Sequence, residues 1–166
     1  MYSVGQQVVY GSHGVCAIVD LEEKIVDKKA IAYFVLSPME NPATRYYLPS
    51  QNPSALAKIR PLAEASYLRE CWTGALDETV WIPQENRRKM AYRELINNAD
   101  PAVLITMVRC LHRYKKDLLA AGKKFHLADD NFLRDARRIL IGEMCVVLQI
   151  EQPAALSFIE DALETM

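Results

Sequence analysis

The apolar period of this chain changes once, at about Pro61, and that change limits the folds open to it. Up to residue 60 the apolar residues form short, β-branched runs between turn residues, which is a strand pattern. Residues 7–10, 15–22, 32–36 and 45–48 read as four strands, and Ile59-Arg60 as a closing one. Between them lie the turn Gly11-Ser12-His13-Gly14, the reversal Asp27-Lys28-Lys29 and a loop punctuated by Pro38, Asn41 and Pro42. So many short strands with so little helix predict a small Tudor/SH3-like β-barrel over residues 1–60, with outer edges able to pair with another chain.

From Pro61 the period is that of helices. Pro83, Pro101 and Pro153 also stand where a helix start tolerates proline, and Asp100 is placed to cap the helix after it. Leu104, Met107, Val108 and Leu111 follow the i, i+3, i+4, i+7 rule, as do Leu133, Ala136, Leu140, Met144 and Val147 over a longer span. Leu156, Ile159 and Leu163 repeat it over a shorter one. The expectation is an α+β chain of two domains, with a compact bundle of about five helices over residues 61–166.

Charge divides the chain more sharply than its net value of −1 reveals. Residues 87–138 hold thirteen Lys/Arg against six Asp/Glu, whereas residues 139–166 hold five acids and no Lys or Arg. Arg109, Arg113 and Lys116 are spaced to lie together opposite the Leu104/Val108/Leu111 stripe. Arg134, Arg137 and Arg138 cluster on the next long helix, and Lys123-Lys124 lies in the loop between. Arg87-Arg88-Lys89, with Arg93 one turn on, crowds the first turns of an earlier helix, where the dipole disfavours cations. Such blocks fit a solvated face or a phosphate-contacting one. Trp81, just before Pro83, fits a hydrophobic anchor or, beside the arginines, a platform for unpaired bases. Trp72 reads as core. The candidate DNA-binding set is Trp81, Arg87, Arg88, Lys89, Arg93, Lys123, Lys124, Arg134 and Arg138.

No apolar run approaches a membrane span, and the start of the chain lacks a secretory signal, so a cytoplasmic location is expected. Cys16, Cys71, Cys110 and Cys145 are widely spaced in apolar surroundings and read as free thiols. His13, His112 and His126 are scattered, with no Cys or acid at metal spacing and no nucleophile elbow. Neither an enzyme, nor a metal site, nor a cofactor is expected.

Val4-Gly5-x-x-Val8-Val9-Tyr10 followed by Gly14-Val15 is similar to the opening of the CarD/CdnL family of bacterial transcription regulators. Tyr33-Phe34-Val35-Leu36 and Leu48-Pro49 resemble its later strands, Asn86-Arg87-Arg88 its arginine pair, and residues 135–143 its long C-terminal helix. The resemblance implies an N-terminal domain that binds the RNA polymerase β subunit. It also implies a helical domain that contacts promoter DNA without reading sequence and stabilises the open complex. On the polymerase side it points to Lys24, Arg45 and Tyr47. Three departures stand out: Tyr47 occupies a position where the family often has arginine, five residues separate Trp81 from Arg87, and Asp129-Asp130 replaces a start that is often basic. These favour weaker DNA binding, or a protein-only adaptor on polymerase.

Overall fold

The computed structural model describes residues 1–73, 77 and 80–165. Five strands, β1 (Gln7–Tyr10), β2 (Val15–Val26), β3 (Lys29–Pro38), β4 (Tyr46–Pro49) and β5 (Ile59–Pro61), form one sheet in the order β4-β3-β2-β1-β5. Every neighbouring pair is antiparallel. The sheet is therefore open, with β4 and β5 as its two edges. The four-residue helix α1 (Pro53–Leu56) leads into β5, its start capped by Asn52 Oδ1 at 2.9 Å from the Ser54 amide.

Turn chemistry sets the strand ends. Asp27 and Lys28 both hold positive φ, 50° and 64°, the pattern of a two-residue hairpin turn whose twist suits the strands on either side. Gly11 opens the tight turn Gly11–His13 between β1 and β2 at φ 46°, and a Cβ there would lie 2.7 Å from the Asn97 carbonyl oxygen. Only a glycine lets this turn approach a helix so closely. A register shift between Ile18 and Asp20 bends β2, allowing a twelve-residue strand to curl over a small core.

That core holds Val8, Cys16, Ile18, Leu36 and Leu48, none more than 2% exposed. Burying each large aliphatic among them contributes about 1.5–3 kcal/mol. Val9 and Val15 point the other way and join the helical core. Both faces of β1 are thus covered, which is why Val8-Val9 runs apolar without alternation.

Five helices follow Pro61 among the described residues: α2 (Ala65–Glu70), α3 (Glu85–Asn98), α4 (Pro101–Ala120), α5 (Leu127–Leu148) and α6 (Gln152–Glu164). Pro101 opens α4, capped by Asp100 Oδ1 at 3.1 Å from the Val103 amide. The expected stripes face inward: Leu104, Met107, Val108 and Leu111 of α4, Leu133, Ala136, Leu140 and Met144 of α5, and Ile159 and Leu163 of α6 are buried, while Val147 and Leu156 are half-buried against the same core. Two expected helix starts are corrected. Pro61 ends β5 opposite Val8, on a sheet edge where a missing N–H is tolerated, and α2 begins at Ala65. Pro83 stays outside α3, which starts at Glu85, and the Ile82 and Pro83 carbonyls before it accept from Arg88, at 2.8 and 3.2 Å. Trp72 is buried, and the four cysteines are free thiols.

Sheet and bundle are pinned together. Arg60 of β5 meets Glu143 of α5 through two parallel 2.7 Å hydrogen bonds, and its guanidinium also donates to the Ala99 carbonyl at the end of α3. On the other side of the turn, Arg138 donates to Ser12 O at 2.5 Å and to Glu40 at 3.0 Å.

Candidate functional site

The residues expected to meet nucleic acid fall on the helical half, and most gather where α3 and α5 begin. Arg88, in the first turn of α3, and Asp129, in the first turn of α5, form a bidentate pair with both hydrogen bonds at 2.8 Å. That pair brings the two helix starts together. Lys123 and Lys124, exposed in the turn before α5, therefore share an end of the bundle with Arg87 and Lys89.

Arg88 itself is not a surface contact. It is 2% exposed and its partner Asp129 1%, and the Asp129 hydrogen bonds raise its pKa further above the ordinary value. The guanidinium is spent on Asp129 and on the Ile82 and Pro83 carbonyls. This corrects its expected phosphate role, and it explains a cation near a helix start, since the charge is held by a carboxylate instead of facing the dipole. The two acids that stand where the family start is often basic are both paired. Asp129 is buried under Arg88, and Asp130 pairs with Lys115 of α4 at 2.6 Å.

Trp81 lies 3.5 Å, centroid to centroid, from the Tyr114 ring at an interplanar angle of 26°, and the Arg88 guanidinium sits 4.3 Å from its centroid. A guanidinium in the ring plane would clash with the indole edge at that distance. It therefore lies over the ring system, so the indole is engaged by both Tyr114 and Arg88. The ring anchors the approach to α3 against α4.

The other candidates differ in their freedom. Arg87 is exposed, its guanidinium 3.5 Å from Gln84 Oε1, and Arg93 is exposed further along α3. Lys89 pairs with Glu85 at 2.6 Å, an i, i+4 ion pair that draws the Glu85 carboxyl below its ordinary pKa. Arg134 is exposed and hydrogen-bonded to Asn131 one turn earlier. With Lys115, Arg137 and Arg138 it lines a groove of about 340 Å³. Arg138, pinned to Ser12 and Glu40, positions the sheet against α5.

On the sheet, Lys24 of β2 and Tyr47 of β4 come together across β3, the ammonium 3.4 Å from the ring centroid. Arg45 is folded onto its own loop, donating to the carbonyls of Pro42 and Thr44 and to Ser37 Oγ. Tyr47 is exposed on a strand whose outer edge pairs with nothing among the described residues. Such an edge can add a strand from another chain.

Sequence reasoning missed Asp129, Tyr114 and Glu143 as partners. No local pattern marks them, because each acts on a residue at least 33 positions away.

Residues 2–62 match the family model of the CarD-like/TRCF RID domain, and residues 77–160 match that of the CarD C-terminal domain. No curated protein matches the chain.

Proposed function

The chain belongs to the CarD family of RNA polymerase-interacting transcription regulators, and from that membership we propose that it holds the polymerase β subunit with its sheet and promoter DNA with its helical half. The β4 edge, with Tyr47 upon it, Lys24 reaching Tyr47 from β2 and Arg45 before it, is the docking strand. The exposed cations Arg87, Arg93, Lys123 and Lys124, with Lys89 and Arg134, face the phosphates. Binding of this kind adds free energy to one state of the promoter and shifts the population toward the open complex. No bond is made or broken.

The observation that carries the reading is the pinned joint between the halves. Arg60 on Glu143 and Arg138 on Ser12 let a sheet docked on polymerase aim the cationic end of the bundle. A second reading, a protein-only adaptor, is favoured by one finding: Trp81 and Arg88, an aromatic and a cation well suited to melted DNA, are engaged with each other and with Tyr114 and Asp129.

Open-complex lifetime separates the two. Wild type and Arg87→Glu/Lys123→Glu/Lys124→Glu are compared on one promoter with the cognate polymerase. Lengthening by wild type, lost in the variant while polymerase binding is kept, is the expected result. Equal lifetimes with both bound would establish the adaptor instead.

A further inference from the structure

We propose that the cleft between α4, α6 and the end of α2 binds a small phosphate-bearing metabolite. The Arg109/Arg113/Lys116 spacing of α4 has no part in the DNA reading above, and the structure shows where it goes. The three side chains do not form an outer stripe. Together with His112, Asp117 and Trp72 they line a cleft of about 690 Å³, which is within the range of small-molecule sites. Asp117 is the single acid among these six residues.

Arg109 is the deepest of the cations at 8% exposed, while Arg113 and Lys116 stand at the rim. Both arginines also interact within the chain. Trp72 also lines the cleft, and its buried indole N–H has no hydrogen-bond partner among the described residues. The local field is positive as well. His112 is held below its ordinary pKa by burial first and then by Arg137, Lys116 and Lys115.

Depth decides between ligand classes. A phosphate of duplex DNA belongs to a wide rod and reaches side chains that project from a surface. A guanidinium as buried as Arg109 lies beyond it, whereas a small phosphate can enter. Guanidinium groups at fixed positions suit phosphate because their N–H donors match its oxygens.

The test uses the full-length protein and inorganic pyrophosphate as probe. Isothermal titration of wild type is paired with fluorescence of a Trp81→Phe variant, in which Trp72 is the one remaining tryptophan. Saturable binding that changes the Trp72 emission is expected. Arg113→Ala/Lys116→Ala, both at exposed positions, should weaken it by more than about tenfold, since two charge-assisted hydrogen bonds are lost together. Lys29→Ala, on the sheet hairpin, should leave it unchanged. Absence of saturation, or equal affinity in the double variant, overturns the proposal. Displacement of pyrophosphate by a short DNA duplex also overturns it, by making the cleft a backbone-phosphate site.

Discussion

Arg60 and Glu143 are 83 residues apart in sequence and meet through two 2.7 Å hydrogen bonds, with the Glu143 side chain wholly buried. Glu143 also accepts from the Ala63 amide at 2.8 Å, and Arg60 caps the end of α3 through the Ala99 carbonyl. Three elements, β5, α3 and α5, thus depend on one ion pair. Removing one partner leaves the other buried and uncompensated. Glu143→Ala is therefore expected to cost about 3–5 kcal/mol, read from the urea midpoint. Arg60→Met, which keeps the stem, should cost as much, because Glu143 is the more deeply buried of the two.

Arg87 and Arg88 are adjacent and predicted to behave in opposite ways. Arg88→Ala strands Asp129 inside the protein and should destabilise by about 3–5 kcal/mol. Arg87→Ala changes an exposed side chain and should stay within about 0.5 kcal/mol. Thermal unfolding of the two variants side by side checks this; equal losses would show that the Arg88–Asp129 pair does not hold the helix starts together.

The architecture was legible because both halves are written in local spacing. The stripe Leu104/Met107/Val108/Leu111 names its own buried face, and Asp100-Pro101 names its own helix start. The site was less legible because its side chains are placed by distant partners. Arg88 reads as one of three adjacent cations, and nothing within one turn of it distinguishes it from Arg87; the carboxylate that buries it is 41 residues on. Asp129 in turn reads as an unfavourable acid until Arg88 is placed against it. Trp81 reads as an anchor or a platform until Tyr114, on α4, closes one face.

The hairpin between β2 and β3 stores a small strain. Lys28 holds φ 64°, a conformation that costs a side-chain-bearing residue about 1 kcal/mol and glycine almost nothing. Lys28→Gly should therefore raise stability by up to about 1 kcal/mol, giving the Asp-Gly pair that two-residue turns favour. A lower melting temperature in this variant would mean that Lys28 makes a compensating interaction.

Two histidines tie stability to pH. Burial lowers the pKa of His13, with Arg138 adding to the effect, and burial lowers that of His112, with Arg137, Lys116 and Lys115 adding. A group whose folded pKa is lowered takes its proton first in the unfolded chain, so stability is lost as pH falls. The loss should begin near the ordinary histidine value of about 6.5 and continue down to the lowered folded values. Urea midpoints measured from pH 8 to pH 5 should fall over that window, and His112→Gln should reduce the fall. A midpoint that is flat from pH 7 to pH 5 in wild type would contradict both shifts.

The salt dependence of DNA binding measures how many cations reach phosphate. Of the nine residues singled out on the helical half, Arg88 is buried on Asp129, Arg138 is committed to Ser12 and Glu40, and Trp81 is stacked on Tyr114. Lys89 is shared with Glu85, which leaves Arg87, Arg93, Lys123, Lys124 and Arg134 exposed for phosphate. If about four of them make contact, log K against log salt should slope near −3 to −4 on B-DNA, since each neutralised phosphate contributes about −0.9. Lys123→Ala/Lys124→Ala should flatten the slope by about 1.8 if both make phosphate contacts, with no dependence on promoter sequence. Arg134→Ala, on the outer side of α5 beyond the helix starts, separates two geometries: a slope change locates DNA along α5, and no change confines it to the end where α3 and α5 begin. A slope near zero in wild type would leave the cations as a solvated face and the chain as a protein adaptor.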